Sequence, residues 1–189
     1  WPLVLGGLIM ATSAVEATEY KYRPYGEQIA MFEKLEAKYP NLVQTWYAQD
    51  QYGIQSPGSD CKDLRGQKVA CKTLIVRITN ETTLGDSGGE RPEVFFSGCL
   101  HGNEWVGPTT TSYLAEYLVK SRAEGSNSWI SRLVDTRAIW MMPMTNPLGY
   151  AQNRREENGM DPNRDFPYNQ KSNLCMTTIT ARAVNELWR

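Results

Sequence analysis

The spacing of apolar residues follows two periods along the chain, one typical of helices and one typical of strands. Apolar side chains recur at every third position over 27–39, which predicts an amphipathic helix. They alternate with their neighbours over 74–78, and they run without a break over 94–96 and 138–142, so three strands are predicted. Four further elements are predicted: a strand over 42–48 and helices over about 108–120, from about 128, and over about 175–189.

Helices therefore separate strands that mostly lack a strict two-residue alternation, and this order predicts an α/β fold. We expect a mixed, mostly parallel open sheet with flanking helices. A prior of about one domain per 150 residues gives a single domain for the 189 residues. The segment 50–66 is rich in glycine, serine, aspartate and proline and is predicted to be a loop.

The N-terminal segment differs from the rest of the chain, because it is apolar and carries no charge before Glu16. This run is shorter than the roughly 20 residues of a membrane-spanning helix, and small residues follow it. We interpret 1–17 as the remnant of a secretory signal peptide and 18–189 as the domain, with a buried N-terminal strand as the alternative. A secreted, extracellular or lumenal location is expected, without stable membrane insertion of the mature chain.

Charge and histidine content limit the chemistry that this chain can perform. Twenty Lys and Arg residues stand against 21 Asp and Glu residues, a net charge of -1, so no overall positive field attracts nucleic acid. Nucleic acid is therefore not an expected partner. The sequence contains one histidine, His101, and any site that needs imidazole must use it.

The four cysteines and one glycosylation motif add expectations that depend on secretion. Cys61 and Cys71 flank a polar stretch and are the predicted disulfide pair. Cys99 follows an apolar strand and is predicted to be a buried thiol, whereas Cys175 has no obvious partner. The segment 80–82, Asn-Glu-Thr, is an acceptor motif for N-linked glycans.

A histidine and a glutamate follow the strand predicted at 94–96. His101 and Glu104 are three residues apart on a turn that leads into a helix, so their side chains can converge on one point. An imidazole nitrogen and a carboxylate oxygen both suit zinc. Ligands of open α/β sheets bind at the carboxyl ends of strands, which is where this pair is predicted to lie.

A second polar segment follows the strand predicted at 138–142. Arg154, Arg155 and Arg164 lie within eleven residues, and the planar guanidinium binds carboxylates through two hydrogen bonds. These arginines would suit the anionic end of a substrate. The alternative is a solvated loop in which they pair with neighbouring acidic residues.

Together, three motifs resemble the zinc metallocarboxypeptidases, the peptidases of carboxypeptidase A/B type. They are His-Gly-Asn-Glu at 101–104, Asn-Pro-Leu-Gly-Tyr at 146–150 and Asp-Pro-Asn-Arg-Asp-Phe at 161–166, in the family's order. The resemblance runs from about Tyr20 to the last residue. It implies the N-terminal part of the family's phosphorylase/hydrolase-like fold, truncated at the C-terminal end.

The resemblance also implies residue roles and an activity. His101 and Glu104 would be zinc ligands, and Arg155 would polarise the scissile carbonyl, with Arg154 as the rival for that role. Asn163 and Arg164 would bind the terminal carboxylate of a peptide or protein. The implied reaction is zinc-dependent removal of C-terminal amino acids by metal-activated water.

The implied zinc site is incomplete, because a catalytic zinc takes three protein ligands and the family supplies a second histidine. Asp161, Asp165, Cys99 and Cys175 are considered as substitutes and not favoured. The third ligand and the catalytic glutamate are expected beyond Arg189, so the 189 residues alone are expected to be inactive. Two other functions stay open: an aspartoacylase-like zinc amidohydrolase and a non-catalytic, carboxypeptidase-like peptide-binding module.

Overall fold

A computed structural model describes residues 20–85, 90–168 and 175–189. The predicted leader at 1–17 lies outside the described residues. Each predicted helix and strand has a counterpart: the strands at 74–78 and 138–142 have the predicted bounds, and the bounds of the others are shifted by a few residues. The bounds are α1 Tyr25–Lys38, β1 Val43–Tyr47, α2 Ala48–Tyr52, β2 Cys61–Lys62, β3 Lys68–Val69, β4 Leu74–Ile78, β5 Glu93–Ser97, α3 Val106–Glu124, α4 Ser128–Thr136, β6 Ala138–Met142, α5 Pro147–Gln152 and α6 Ile179–Leu187.

Four short elements, α2, β2, β3 and α5, were missed by the sequence analysis. The predicted loop at 50–66 contains the end of α2 and the strand β2, which pairs antiparallel with β3. The helix α5 begins where Asn146 caps it, its side-chain oxygen accepting a hydrogen bond from Gly149 N at 2.8 Å. These elements are too short for a period to be recognised, whereas an Asn followed by Pro is a helix start signal.

The main sheet has the strand order β1-β4-β6-β5 and mixes both kinds of pairing. β4 pairs antiparallel with β1 and with β6, and β5 pairs parallel with β6. The mixed α/β fold is confirmed, but the expected predominance of parallel pairing is wrong for the described strands. Among the strands that the structure describes, β5 and β6 are the one parallel pair, and α3 and α4 connect them by the crossover that such a pair requires.

Helices cover both faces of the sheet. On one face Phe32 of α1 and Val119 of α3 are fully buried with the side chains of β4 and β6. On the other face Ile75 packs with Ala183 and Val184 of α6. The alternation over 74–78 favours one buried face, but Ile75, on the opposite face, is also completely buried because α6 covers that face.

The strand β5 is the least covered part of the sheet. Four of its five residues are exposed, and Val94 and Phe96 are 41% and 37% exposed. Within the described residues, its hydrogen-bonded neighbour in the sheet is β6 alone. Among the described strands, β5 is therefore an open edge of the sheet, and it is less covered than a parallel strand normally is.

The predicted disulfide is confirmed: Cys61 and Cys71 are bonded, with their Cα atoms 5.1 Å apart. Cys99 is a buried free thiol, as expected, and Cys175 is a free and exposed one. None of the helices in the described residues is both long enough and apolar enough to cross a membrane.

The predicted glycan acceptor, Asn80, is buried. Its Nδ2 donates a hydrogen bond to Asp135 Oδ1 at 2.7 Å, and its Oδ1 accepts from the backbone and hydroxyl of Thr82. A glycan would have to be attached to the nitrogen that makes this buried contact. The folded structure therefore does not favour the modification.

Candidate metal centre

Two polar segments meet where β5 and β6 end. Because these strands are parallel, their carboxyl ends lie at the same edge of the sheet. Backbone hydrogen bonds link the segments beyond the strands: Thr145 N donates to Gly98 O at 3.0 Å and Asn146 N donates to Cys99 O at 3.1 Å. The structure thus places the turn with His101 beside the segment with the three arginines.

The turn at 98–104 approaches neighbouring backbone so closely at Gly98 and Gly102 that neither position has room for a side chain. A Cβ atom on Gly102 would lie 2.0 Å from the carbonyl carbon of Gly149, and one on Gly98 would lie 2.5 Å from Pro143 O. Gly102 N also donates a hydrogen bond to Arg155 O at 3.2 Å. Backbone packing therefore fixes the position of this turn.

His101 and Glu104 converge, as the spacing predicts. Glu104 N donates to His101 O at 3.0 Å, which closes the turn, and His101 Nδ1 lies 2.8 Å from Glu104 Oε1. The imidazole is buried, while the Glu104 side chain is 56% exposed. A nitrogen and an oxygen therefore face one point that is open to solvent, and both suit zinc.

Asp161 contacts the opposite side of the imidazole ring. Its Oδ1 lies 3.1 Å from His101 Nε2, so the two ring nitrogens face two different carboxylates. Asp161 and Glu104 consequently cannot join His101 on one ion. A carboxylate on the second nitrogen of a metal-binding histidine fixes the ring orientation and tautomer and raises ligand basicity. Sequence reasoning considered Asp161 as a substitute ligand and as a possible partner of the arginines, and it missed this contact with His101.

Burial raises the pKa of Asp161, but three hydrogen bonds outweigh that effect and hold the pKa below its ordinary value. The donors are the backbone N–H of Asn163, the guanidinium of Arg155 and the imidazole of His101. Asp161 is therefore ionised at neutral pH and can accept a hydrogen bond from His101 Nε2–H.

Arg155 lies between the two acidic residues. Its Nε and Nη2 donate to Asp161 Oδ2 at 3.2 and 3.1 Å, and its Nη1 lies 3.9 Å from Glu104 Oε1. The neighbouring Arg154 is exposed, and its backbone N–H donates to Gly149 O at 2.8 Å. Of the two rival arginines, the structure brings the Arg155 side chain to the His101 turn.

Asn163 and Arg164 follow Asp161 in a single turn of 3-10 helix, Pro162–Arg164. Asp161 caps this turn by accepting a hydrogen bond from Asn163 N at 2.9 Å, and Arg164 Nη1 donates to Asn163 O at 3.0 Å. Both side chains are exposed. An amide and a guanidinium that remain open to solvent beside one another can bind a carboxylate.

The set of possible metal ligands matches part of a zinc site. Among the described residues, no group of three or more His, Cys, Asp and Glu side chains is arranged to hold a metal ion. The Cys99 thiol is buried and donates a hydrogen bond to His101 O at 3.1 Å, so it contacts the backbone of the turn and not the imidazole. His101 and Glu104 therefore fit as two members of a three-ligand set.

The fold and this site define a class: an α/β protein with a histidine–glutamate pair at the carboxyl edge of its sheet, backed by an aspartate. Comparison with known proteins narrows this class to one family. The family model described as zinc carboxypeptidase matches residues 71–185. This chain belongs to the zinc carboxypeptidase family.

Individual relatives agree with the family match. Metallocarboxypeptidase A of Trichophyton tonsurans is 32% identical over 154 residues, which cover 70% of this chain and 35% of that relative. Among solved structures, thrombin activatable fibrinolysis inhibitor has a TM-score of 0.68 at 14% identity, covering 90% of this chain and 44% of that chain. Carboxypeptidase A from Helicoverpa armigera has a TM-score of 0.65 at 20% identity, covering 88% and 42%. The structural likenesses confirm the fold, and the chain spans less than half the length of these relatives.

Proposed function

We propose that this chain is the N-terminal part of a secreted zinc carboxypeptidase that removes C-terminal amino acids from peptides. The observation that carries the proposal is the position of His101, with Glu104 on one ring nitrogen and Asp161 on the other. Family membership supports the activity, and the Cys61–Cys71 disulfide supports an oxidising, extracellular compartment.

His101 Nδ1 and Glu104 Oε1 are the atoms proposed to hold zinc. Asp161 would favour the imidazole tautomer with its proton on Nε2, because an ionised carboxylate can only accept a hydrogen bond there, and the lone pair of Nδ1 would then be available to the metal. When bound, zinc supplies a Lewis acid that polarises a carbonyl and lowers the pKa of water to about 7. A third protein ligand and the general base from sequence beyond Arg189 are part of the proposal.

The arginines are proposed to bind the substrate. Arg164 and Asn163 would bind the terminal carboxylate by donating charge-assisted hydrogen bonds to it, which selects peptides with a free C-terminus. Arg155 would direct its guanidinium at the scissile carbonyl, where it stabilises the developing oxyanion. In the described structure Arg155 contacts Asp161, so substrate binding would draw part of its donor set away from that carboxylate.

Zinc binding tests the proposed ligands on the chain itself. We expect H101A and E104Q each to weaken zinc binding at least tenfold, measured by calorimetric titration and by elemental analysis after dialysis. E124Q is the matched control, because Glu124 is an exposed glutamate at the end of α3. Equal zinc binding by wild type, H101A and E104Q would overturn the assignment.

Activity is tested on a longer gene product that continues past Arg189. It should release amino acids from peptides with a free C-terminus and leave amidated peptides and N-acyl amino acids intact. R164A should lose this discrimination, and R155A should lower kcat more than R154A does. A transcript that stops at Arg189, or hydrolysis of N-acyl amino acids alone, would contradict the proposal.

A further inference from the structure

Two acidic residues of the arginine-containing segment are buried, and the proposed chemistry does not use them. Glu157 follows Arg155 by two positions and is 4% exposed. Its Oε1 accepts a hydrogen bond from Ile179 N at 2.7 Å, and its Oε2 accepts from Thr180 N at 2.9 Å and from the Thr180 hydroxyl at 2.5 Å. Both oxygens of this carboxylate are therefore engaged at the start of α6.

Asp165, the residue after Arg164, is 1% exposed and contacts the same helix end. Its Oδ2 accepts from Thr178 N at 2.6 Å and from the Thr178 hydroxyl at 2.8 Å. The Thr178 hydroxyl oxygen in turn accepts from Ala181 N at 3.1 Å. Together with Glu157, these contacts satisfy every N–H group of the helix start that has no partner inside the helix.

Capping alone would not require acidic residues so far away in sequence. A helix start is commonly capped by its own Ser, Thr, Asp or Asn, and Thr178 already performs this role for α6. Glu157 and Asp165 are 22 and 13 residues upstream of the groups they bind. Two negative charges at the positive end of the helix dipole attach this segment to α6 at two points.

These two points bracket the residues assigned to the site. Asp161, Asn163 and Arg164 lie between Glu157 and Asp165 along the chain, and Arg155 lies just before Glu157. Glu157 also closes a tight bridge with Met160, in which each backbone N–H donates to the other's carbonyl at 2.9 and 3.0 Å. Asp161, which contacts His101, is thus the first residue after this anchored bridge.

We propose that Glu157 and Asp165 are positioning residues. They attach the segment to the N-terminus of α6, which holds Asp161 against His101 and fixes the turn that carries Asn163 and Arg164. This inference rests on the proposed function, because it assigns the anchored segment to metal and substrate binding. It predicts that the metal site depends on a helix that contributes no ligand.

The single histidine makes this dependence measurable. The two ring nitrogens of His101 give one set of signals in nitrogen-15 NMR spectra of the chain, and the Nε2 signal reports the contact with Asp161. We expect E157Q and D165A to change the Nε2 signal and to weaken zinc binding at least tenfold. In E157Q an amide NH₂ would face N–H donors, because both oxygens of Glu157 accept hydrogen bonds.

Two controls separate positioning from general destabilisation. E156Q makes the same chemical change at the adjacent, exposed residue. N127A removes the cap of α4, where Asn127 Oδ1 accepts from Trp129 N and Ile130 N, and so lowers stability without touching the segment. Both should leave the His101 signals and zinc affinity unchanged. Should E157Q or D165A fail to fold, T180V removes one hydroxyl donor to Glu157 and should shift the Nε2 signal more than N127A does.

The outcomes distinguish this inference from the proposed function. Unchanged His101 signals and zinc affinity in E157Q, D165A and T180V would overturn the positioning role while leaving the zinc site intact. The same holds if N127A changes them equally. A wild-type chain that binds no zinc, but whose His101 signals still respond to E157Q and D165A, would overturn the proposed function and retain the positioning role.

Discussion

The two halves of the candidate site are held in place by different forces. The turn at 98–104 is fixed by backbone atoms in such close contact that Gly98 and Gly102 leave no space for a Cβ. The segment at 154–166 is fixed through side chains, chiefly the carboxylates of Glu157 and Asp165 at the start of α6. The first half is part of the packed sheet edge, whereas the second depends on hydrogen bonds to one helix.

This difference has an energetic consequence. Close backbone contacts cannot relax when an atom is added, so substitutions in the first half should damage the fold itself. Hydrogen bonds can be lost singly, so substitutions in the second half should change local geometry at a smaller cost. Stability and metal affinity therefore serve as separate measures of the two halves.

The largest expected effect is that of G102A in the first half. A Cβ there would lie 2.0 Å from the Gly149 carbonyl carbon, so we expect a loss of about 4 kcal/mol or more in the free energy of unfolding. Chemical denaturation measures it, with G85A as the control, since a Cβ on Gly85 meets nothing within 4 Å. Equal stability of G102A and G85A would contradict the account of backbone packing.

Removing the disulfide should lower stability by a smaller amount and leave the site unchanged. Replacing both Cys61 and Cys71 with serine should lower the free energy of unfolding by about 3 kcal/mol, because the closed loop restricts the unfolded chain. Zinc affinity should not change. C175S is the control and should match wild type, since Cys175 is free and exposed. A marked loss of zinc affinity would show that the bond supports the site.

The contact that joins the two halves is tested by D161N. Loss of the carboxylate behind His101 should weaken zinc binding by about 10- to 100-fold, while the chain remains folded. Calorimetric titration measures the affinity, and D50N is the control, because Asp50 is exposed and pairs with Lys72. If D161N binds zinc as wild type does, Asp161 does not orient the ligand.

The smallest expected effect is the dependence of stability on pH. The pKa of Asp161 is below its ordinary value in the folded chain, so its stabilisation is complete above about pH 4 and decreases as the pH falls below that. Unfolding measured across acidic pH should therefore show a steeper loss for wild type than for D161N. Parallel curves would indicate that Asp161 gains no stabilisation from its hydrogen bonds.

The periodic parts of the fold could be predicted from sequence, and contacts between distant residues could not. The strand at 138–142 was predicted with its observed bounds, because a continuous apolar run depends only on adjacent residues. Which apolar side chains of a helix are buried was less predictable: Tyr117 in α3 and Trp188 at the end of α6 are apolar but 51% and 69% exposed. Strand direction was also mispredicted, since periodicity does not define a strand's neighbour.

The same limit applies to the candidate site. The spacing of His101 and Glu104 predicted their convergence, because side chains separated by three positions on one turn lie on the same side of it. The contact of Asp161 with His101 spans 60 residues, and the anchoring of Glu157 spans 22. Such contacts depend on how the sheet and α6 pack. The sequence of a charged segment does not by itself show which of its acidic residues are buried.

The open edge of β5 affects how the chain would behave in concentrated solution. The backbone groups on its outer side, which no strand of the described residues pairs, lie beside Val94 and Phe96 and can bind another extended strand. Because the candidate metal-binding turn begins directly after β5, a strand added there would run alongside His101. Dilute samples would then be needed to observe the histidine in an environment that belongs to one molecule.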